Sequence, residues 1–474
     1  MTINERASTS LIPTATLEAG ALNFPEIMMQ TIAHIAPAVG LILTIQFMTA
    51  VSGVAAPLAF LFGFFVVLTL GISLTQLARH LPSAGGYYFY VSRTVSPKAG
   101  FLTAWMYFLY DPALTAINLA FMGYFFEATM RLEYGINCPW WIFFLVATLL
   151  ITVLVYRSIN FSTKIMMFFG AAEMIVVIAL SVYSLLHPGS GGVNFRSYLP
   201  RNSYSISGLY LAVVFSIFSF TGFDGAAPRA EESDNPRRNM PRAIIYSILA
   251  MGLFYSLCSW ALLIGWGTND VASFNHSAEN PCFVLARHFW GKWWILIFVA
   301  VLNSIIAVSI SGTNAATRVL FAMSRAGVLP QSISAIHPKF HTPSNAVVAQ
   351  TLITLVVGLG LGFLMGPDQE YYFMGIVTTL ALVVVYGVAN YGVYRFYSEE
   401  KPAEFRTRLH LVCPLVSTIA MVWVGVKSVI PFPAGYLKYA PALVGVWIVL
   451  GIVVTYGMRH SIAKWLPQAA EKVV

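Results

Sequence analysis

The sequence predicts an all-α integral membrane fold with twelve transmembrane helices, on three observations. Apolar residues make up 58% of the 474-residue chain and charged residues 10%, whereas soluble domains hold about 45–50% and about 25%. Long apolar runs alternate with short polar joints, and a run of about 20 residues crosses a hydrocarbon core of about 30 Å. Lys and Arg gather on alternate joints.

The runs lie at 27–50, 55–78, 99–127, 140–156, 164–186, 207–225, 242–266, 293–318, 345–365, 371–397, 409–430 and 439–458. The joints are too short for a second domain. Residues 1–26 are polar and lack a cleavable signal pattern, so the first run is expected to stay as a helix. A short tail, 461–474, follows the last run. With both termini cytoplasmic, 20 of the 27 Lys and Arg fall inside, among them Arg6, Lys164, Arg459, Lys464 and Lys472. This is the positive-inside pattern of a multi-pass protein of the cytoplasmic (inner) membrane.

The net charge of +8 is spread over these inner joints. It therefore argues for orientation in a lipid bilayer and not for a nucleic-acid partner. Cys138, Cys258, Cys282 and Cys413 lie far apart, without metal-ligand spacing. Cys138 and Cys282 share the outer side, where two free thiols are expected in preference to a disulfide. No metal or cofactor is expected.

Two runs carry residues that a packed spanning helix avoids. The first contains Ala33-His34-Ile35-Ala36-Pro37-Ala38-Val39-Gly40, and the sixth ends in Phe218-Ser219-Phe220-Thr221-Gly222-Phe223-Asp224-Gly225. Irregular backbone at membrane depth is tolerated where it lines a cavity. Interruptions in corresponding members of two five-helix halves, 27–186 and 207–397, point to an inverted-repeat transporter followed by two C-terminal helices within 398–460. An ordinary proline kink is the alternative for either break taken alone.

Ionisable groups at membrane depth are costly and read as functional by default. They are His34, Asp111, Glu127, Glu173 and Asp224. Glu127 lies near an end and is expected to be solvated. Asp111 precedes Pro112, so a helix cap competes with a functional role. Glu173, in AAEMIVVIAL, is a proton-carrier candidate, with a buried hydrogen bond to backbone or hydroxyl as the alternative. His34 is of a type that changes charge near neutral pH, against the alternative of a hydrogen-bonded packing residue. Enzyme signatures are missing from the sequence: there is no phosphate loop with its lysine, no HExxH, no nucleophile elbow and no CxxC. No enzymatic activity is expected.

Three ordered motifs resemble those of the amino acid–polyamine–organocation superfamily of secondary transporters. PSAGGYYFYVSR at 82–93 is similar to its loop after the second helix, and FSFTGFDGAAPRAEESDNPRRNMPRAI at 218–244 to its sixth helix and tail. RVLFAMSRAGVLP at 318–330 with HPKFHTPSNAV at 337–347 is similar to the segment between its eighth and ninth helices. The resemblance implies a LeuT-type 5+5 inverted repeat with two added helices, and a substrate site between the broken first and sixth helices. It places Phe218 over the substrate, Ser219, Phe220, Thr221 and Gly222 in the unwound stretch, and Tyr110 and Leu114 toward the site. It gives Asp224 a gating or proton-coupling position.

This chain departs from the family in two places. Many relatives have a Gly-rich break in the first helix, where Ile35-Ala36-Pro37-Ala38 stands here. Sodium-independent relatives place a lysine in the fifth helix near the position of Glu173, so coupling to H⁺ or Na⁺ stays open, with H⁺ favoured. The expected function is a permease that moves a small amino acid or organic amine by alternating access. His34, Ile35, Ala36, Pro37 and Ala38 form one wall of its site; Phe218, Phe220 and Tyr110 pack the substrate, and Asp111 receives an amine. An organocation-specific permease is the alternative. A non-transporting nutrient sensor is a further one, disfavoured by the short tails.

Overall fold

Pro37 decides the shape of the first span. A residue before proline is pushed out of the right-handed helical region, and Ala36 adopts φ 59° with its N–H still bonded to the Ile32 and Ala33 carbonyls. Helix α1 (Phe24–Ile35) ends there, and α2 (Pro37–Ile42) starts on the proline, whose missing N–H costs nothing at a first helical position. Asn23 and Glu26 cap α1 reciprocally, side chain to backbone at 3.1 and 2.9 Å. The span finishes as α3 (Ile45–Ser52).

The structure is a computed structural model that describes residue 17 and residues 19–157, 159–277, 279–430 and 435–457. Most of the N-terminal segment, the tail 461–474, and Arg6, Arg459, Lys464 and Lys472 lie outside the described residues, as does the side chain of Lys164. Among the described residues every named element is helical. The chain continues as α4 (Ala56–Ala78), α5 (Gly86–Thr94), α6 (Pro97–Tyr107), α7 (Asp111–Tyr134), α8 (Trp140–Arg157) and α9 (Ile159–Leu186). The second half holds α10 (Ile206–Ser219), α11 (Pro236–Trp266), α12 (Val271–Asn275), α13 (Pro281–Trp290), α14 (Ile295–Arg325), α15 (Ser344–Met365) and α16 (Pro367–Arg395), and α17 (Cys413–Lys427) and α18 (Ala440–Gly457) close the chain.

Nine stretches among the described residues are long and apolar enough to cross a membrane by length and composition. Of the twelve expected runs, the other three are the first, third and sixth. The first is cut at Ala36 and the sixth is short. The third, expected as one helix over 99–127, is divided at Phe108–Tyr110 into α6 and α7. Pro112 in the first turn of α7 explains that division, since a proline further inside a helix would forfeit a backbone bond.

The interrupted helices occupy the middle. α1 packs on α9, α11 and α14, and α7 on α14, α15 and α16. α11 is largely buried, whereas α8, α15 and α18 leave most of their residues exposed or half-buried, as lipid-facing helices do. A reciprocal clasp holds α18 to α6: the Trp105 and Trp447 indoles stack at 4.6 Å, and each donates to the other's carbonyl at 2.8 Å. The four cysteines are free.

Candidate transport site

The two breaks touch. Past α10 the backbone turns through Gly222 at φ 96°, a conformation natural to glycine. A Cβ there would lie 2.7 Å from the His34 carbonyl carbon. Gly225 comes equally close to the His34 ring, so two glycines of the sixth span leave the room that the end of α1 occupies.

His34 therefore faces α7. Its Nε2 lies 3.0 Å from Asp111 Oδ1, with both side chains essentially fully buried. The other Asp111 oxygen accepts the Tyr107 hydroxyl, and the Tyr110 ring lies parallel to the imidazole, 6.4 Å away and tilted by 7°. Asp111 is the first residue of α7, where a carboxylate suits the positive end of the helix. It does not cap that helix: the N-cap is Tyr110, without a side-chain hydrogen bond. Asp224 stands opposite, beside the Tyr386 hydroxyl, and among the described residues His34 Nδ1 and the Tyr110 hydroxyl have no hydrogen-bond partner. A cavity of about 10 Å³, the size of one water, is lined by Tyr107, Asp111, Asp224 and Gly225 and reaches Gly85 and Gly86 of the PSAGGYY loop.

Carbonyls freed by the breaks find buried donors. The Tyr255 hydroxyl of α11 lies 3.2, 3.4 and 3.1 Å from the carbonyls of Ile35, Ala36 and Ser219, and so ties both breaks together. Gly40 leaves space for it, since a Cβ there would collide with this phenol. Arg229 donates to the Gly225 carbonyl and, at 2.8 and 2.7 Å, to the Ser311 carbonyl and hydroxyl. Tyr255→Phe is expected to cost about 1–3 kcal/mol, the penalty for leaving buried acceptors unpaired. Denaturant titration of the purified protein measures this, and an unchanged midpoint would remove Tyr255 from the account.

Glu173 lies apart from this group, at the start of α2. Asn303 Nδ2 and Ser304 Oγ donate to its two oxygens at 2.7 and 3.0 Å, and Ser304 Oγ also accepts from the Val39 N–H at 3.4 Å. No cation pairs with it among the described residues. The three aromatics expected to pack one substrate have different neighbours: Tyr110 lies over His34, Phe220 meets Tyr255 edge-on at 5.1 Å, and Phe218 meets Tyr371 edge-on at 6.2 Å. Leu114 is buried on α7, and Thr221 and Phe218 line a second small apolar cavity with Val67, Leu382 and Met421. Ser219 donates to Thr44 Oγ1 at 3.2 Å. Glu127 accepts the Trp140 N–H at 2.8 Å and so serves the start of α8. Sequence reading missed Tyr107, Tyr255, Arg229, Asn303 and Ser304. Tyr107 alone carried a local signal, standing one helical turn before Asp111.

The three sequence motifs converge at one end of the bundle. Glu231 of the sixth-span tail accepts from the Ala84 N–H at 2.9 Å and pairs with Arg325 at 2.6 Å, tying the PSAGG loop to SRAGVLP. Beneath it Glu232 and Arg318 form a fully buried pair with two 3.0 Å bonds. Leu22, just before α1, joins through backbone bonds to Glu232 and Asp234 at 2.9 and 3.1 Å. At the other end of the first span the α11–α14 connection packs on it, Asn280 donating to the Ile42 carbonyl at 2.8 Å and Gln46 to the Ser277 carbonyl at 3.0 Å.

A helical bundle whose broken helices meet beside buried carboxylates is the build of a membrane carrier. The family model described as amino acid permease matches residues 26–469, and the chain belongs to that family. It is a multi-pass integral membrane protein with the LeuT-type fold that membership implies. Among curated proteins it is similar to the low-affinity putrescine importer PlaP of Escherichia coli (strain K12), 23% identical over 87% of this chain and 88% of the relative. It is 27% identical to the branched-chain amino acid permease BcaP of Bacillus subtilis (strain 168), over 87% and 86% of the two chains. It is also 27% identical to the methylthioribose transporter of that organism, over 82% of each.

Proposed function

We propose that this permease carries a small amino acid or an organic amine across the cytoplasmic membrane by alternating access, coupled to protons or by exchange, and has no enzymatic activity. The observation that carries the reading is the contact of the two breaks at His34 and Gly222 beside Asp111 and Asp224. It sets irregular backbone, two carboxylates and the unpaired Tyr110 hydroxyl around one point at membrane depth. The substrate lies between the Ile35–Ala38 stretch and the Phe218–Gly222 stretch, against Tyr110, Asp111 and Leu114. Relatives named for putrescine and for branched-chain amino acids bracket this substrate range. The lysine and arginine bias puts both termini, and with them the three-motif cluster, in the cytoplasm.

Because this cavity holds about one water, substrate enters only when the helices around it part. Proteoliposome uptake tests the reading: saturable counterflow is expected of a carrier, while ohmic flux would indicate a channel and binding without flux a sensor. Glu173 takes part in proton coupling, as a buried carboxylate held by neutral donors beside the first break. Glu173→Gln is expected to abolish the pH dependence of the uptake rate at saturating substrate while sparing substrate binding. Unaltered pH dependence would remove Glu173 from coupling.

A further inference from the structure

We infer that His34 is the resident counter-ion of Asp111, and that a cationic amine takes its place, so that amine binding and protonation of the imidazole exclude each other. The inference rests on the substrate seat proposed above and assigns its chemistry. The charged groups facing this point are few. Asp111 comes from α7, Asp224 and Arg229 from the sixth span, and His34 from α1; Tyr107, Tyr110, Tyr386 and Tyr255 bring neutral hydroxyls. Glu173 on α9 turns to Asn303 and Ser304, and Glu232 and Arg318 neutralise each other.

With Asp111 and Asp224 both ionised, two carboxylates and one guanidinium leave one negative charge, which a protonated His34 balances at 3.0 Å from Asp111. Adding an ammonium group to this water-sized space would leave an excess positive charge in a medium that penalises unpaired charge heavily. With both carboxylates already ionised, the proton on His34 is the one the site can release to restore balance. Once displaced, the ring has no second acceptor: its Nδ1 faces Gly225 and has no partner among the described residues. The ammonium gains what the imidazolium gives up, namely Asp111, together with Asp224 across the same cavity and the unpaired Tyr110 hydroxyl. No bond is made or broken except the N–H of the imidazolium, whose proton leaves to solvent through the cavity that reaches Gly85 and Gly86.

The test is uptake and competition in proteoliposomes with arginine, putrescine and leucine between pH 5.5 and 8. For arginine or putrescine the apparent affinity of the wild type is expected to rise with pH, approaching about tenfold per unit where one proton leaves for each amine bound. In His34→Asn that slope is expected to vanish. A wild-type measurement that needs no variant accompanies it: adding arginine or putrescine to the purified protein in weakly buffered solution with an indicator dye should release about one proton per site. Uptake of leucine with neither arginine nor putrescine bound overturns the inference and leaves the carrier reading standing. Amine binding without proton release, or a slope shared by wild type and His34→Asn, also overturns it. Failure of all three compounds to bind or move overturns both.

Discussion

Glu232→Gln is expected to destabilise the protein by about 3–5 kcal/mol, because it leaves the Arg318 guanidinium buried without its counter-charge. Both side chains are essentially inaccessible, and two 3.0 Å bonds join them. Arg318 also donates to Asn314 and Thr317, but these neutral partners cannot balance its charge. Replacing both members with methionine is expected to cost far less than either single change, since the penalty belongs to the orphaned charge and not to the absence of the pair. Thermal or denaturant unfolding of the two single variants and the double variant measures this. A double variant as unstable as Glu232→Gln would show that the pair contributes by its net attraction.

Gly222→Ala is expected to produce the second large effect, on function as well as stability. The residue has φ 96°, and a Cβ would press on the His34 carbonyl. Strained backbone of this kind costs about 1–3 kcal/mol; overpacking adds a similar amount. The neighbour that must yield is backbone at the end of α1, so relief pushes His34 away from Asp111. Loss of uptake with partial loss of thermal stability is the expected result. Gly135→Ala separates the two contributions, because Gly135 has φ 66° and a Cβ there would meet nothing within 4 Å. It should carry the backbone strain alone and leave uptake intact. Wild-type uptake in Gly222→Ala would mean that the sixth span is not held against His34.

The membrane class, the order of spans and the two helix breaks were legible because they depend on local rules. Apolar run length sets a spanning helix, and Pro37 and Gly222 act on their own backbone. The division of the third span was hinted at by Pro112 but was hidden within an apolar run that reads as continuous. Asp111 shows the limit most clearly: from the sequence a cap and a functional carboxylate were equally open, and its partners come from another helix and from the preceding turn. Glu173 is similar, since its donors Asn303 and Ser304 stand some 130 positions away in the chain.

Residue order alone therefore sufficed for a multi-span permease body, for the places where its helices must break and for the motifs that mark its family. Which buried groups meet became visible only in three dimensions: His34 with Asp111, Tyr255 with the carbonyls of both breaks, and Glu231 and Glu232 with Arg325 and Arg318. The difference is one of range. Helix formation and interruption depend on residues within a turn or two, whereas pairing of buried charges depends on which helix faces which across the bundle, and residue spacing along the chain does not encode that.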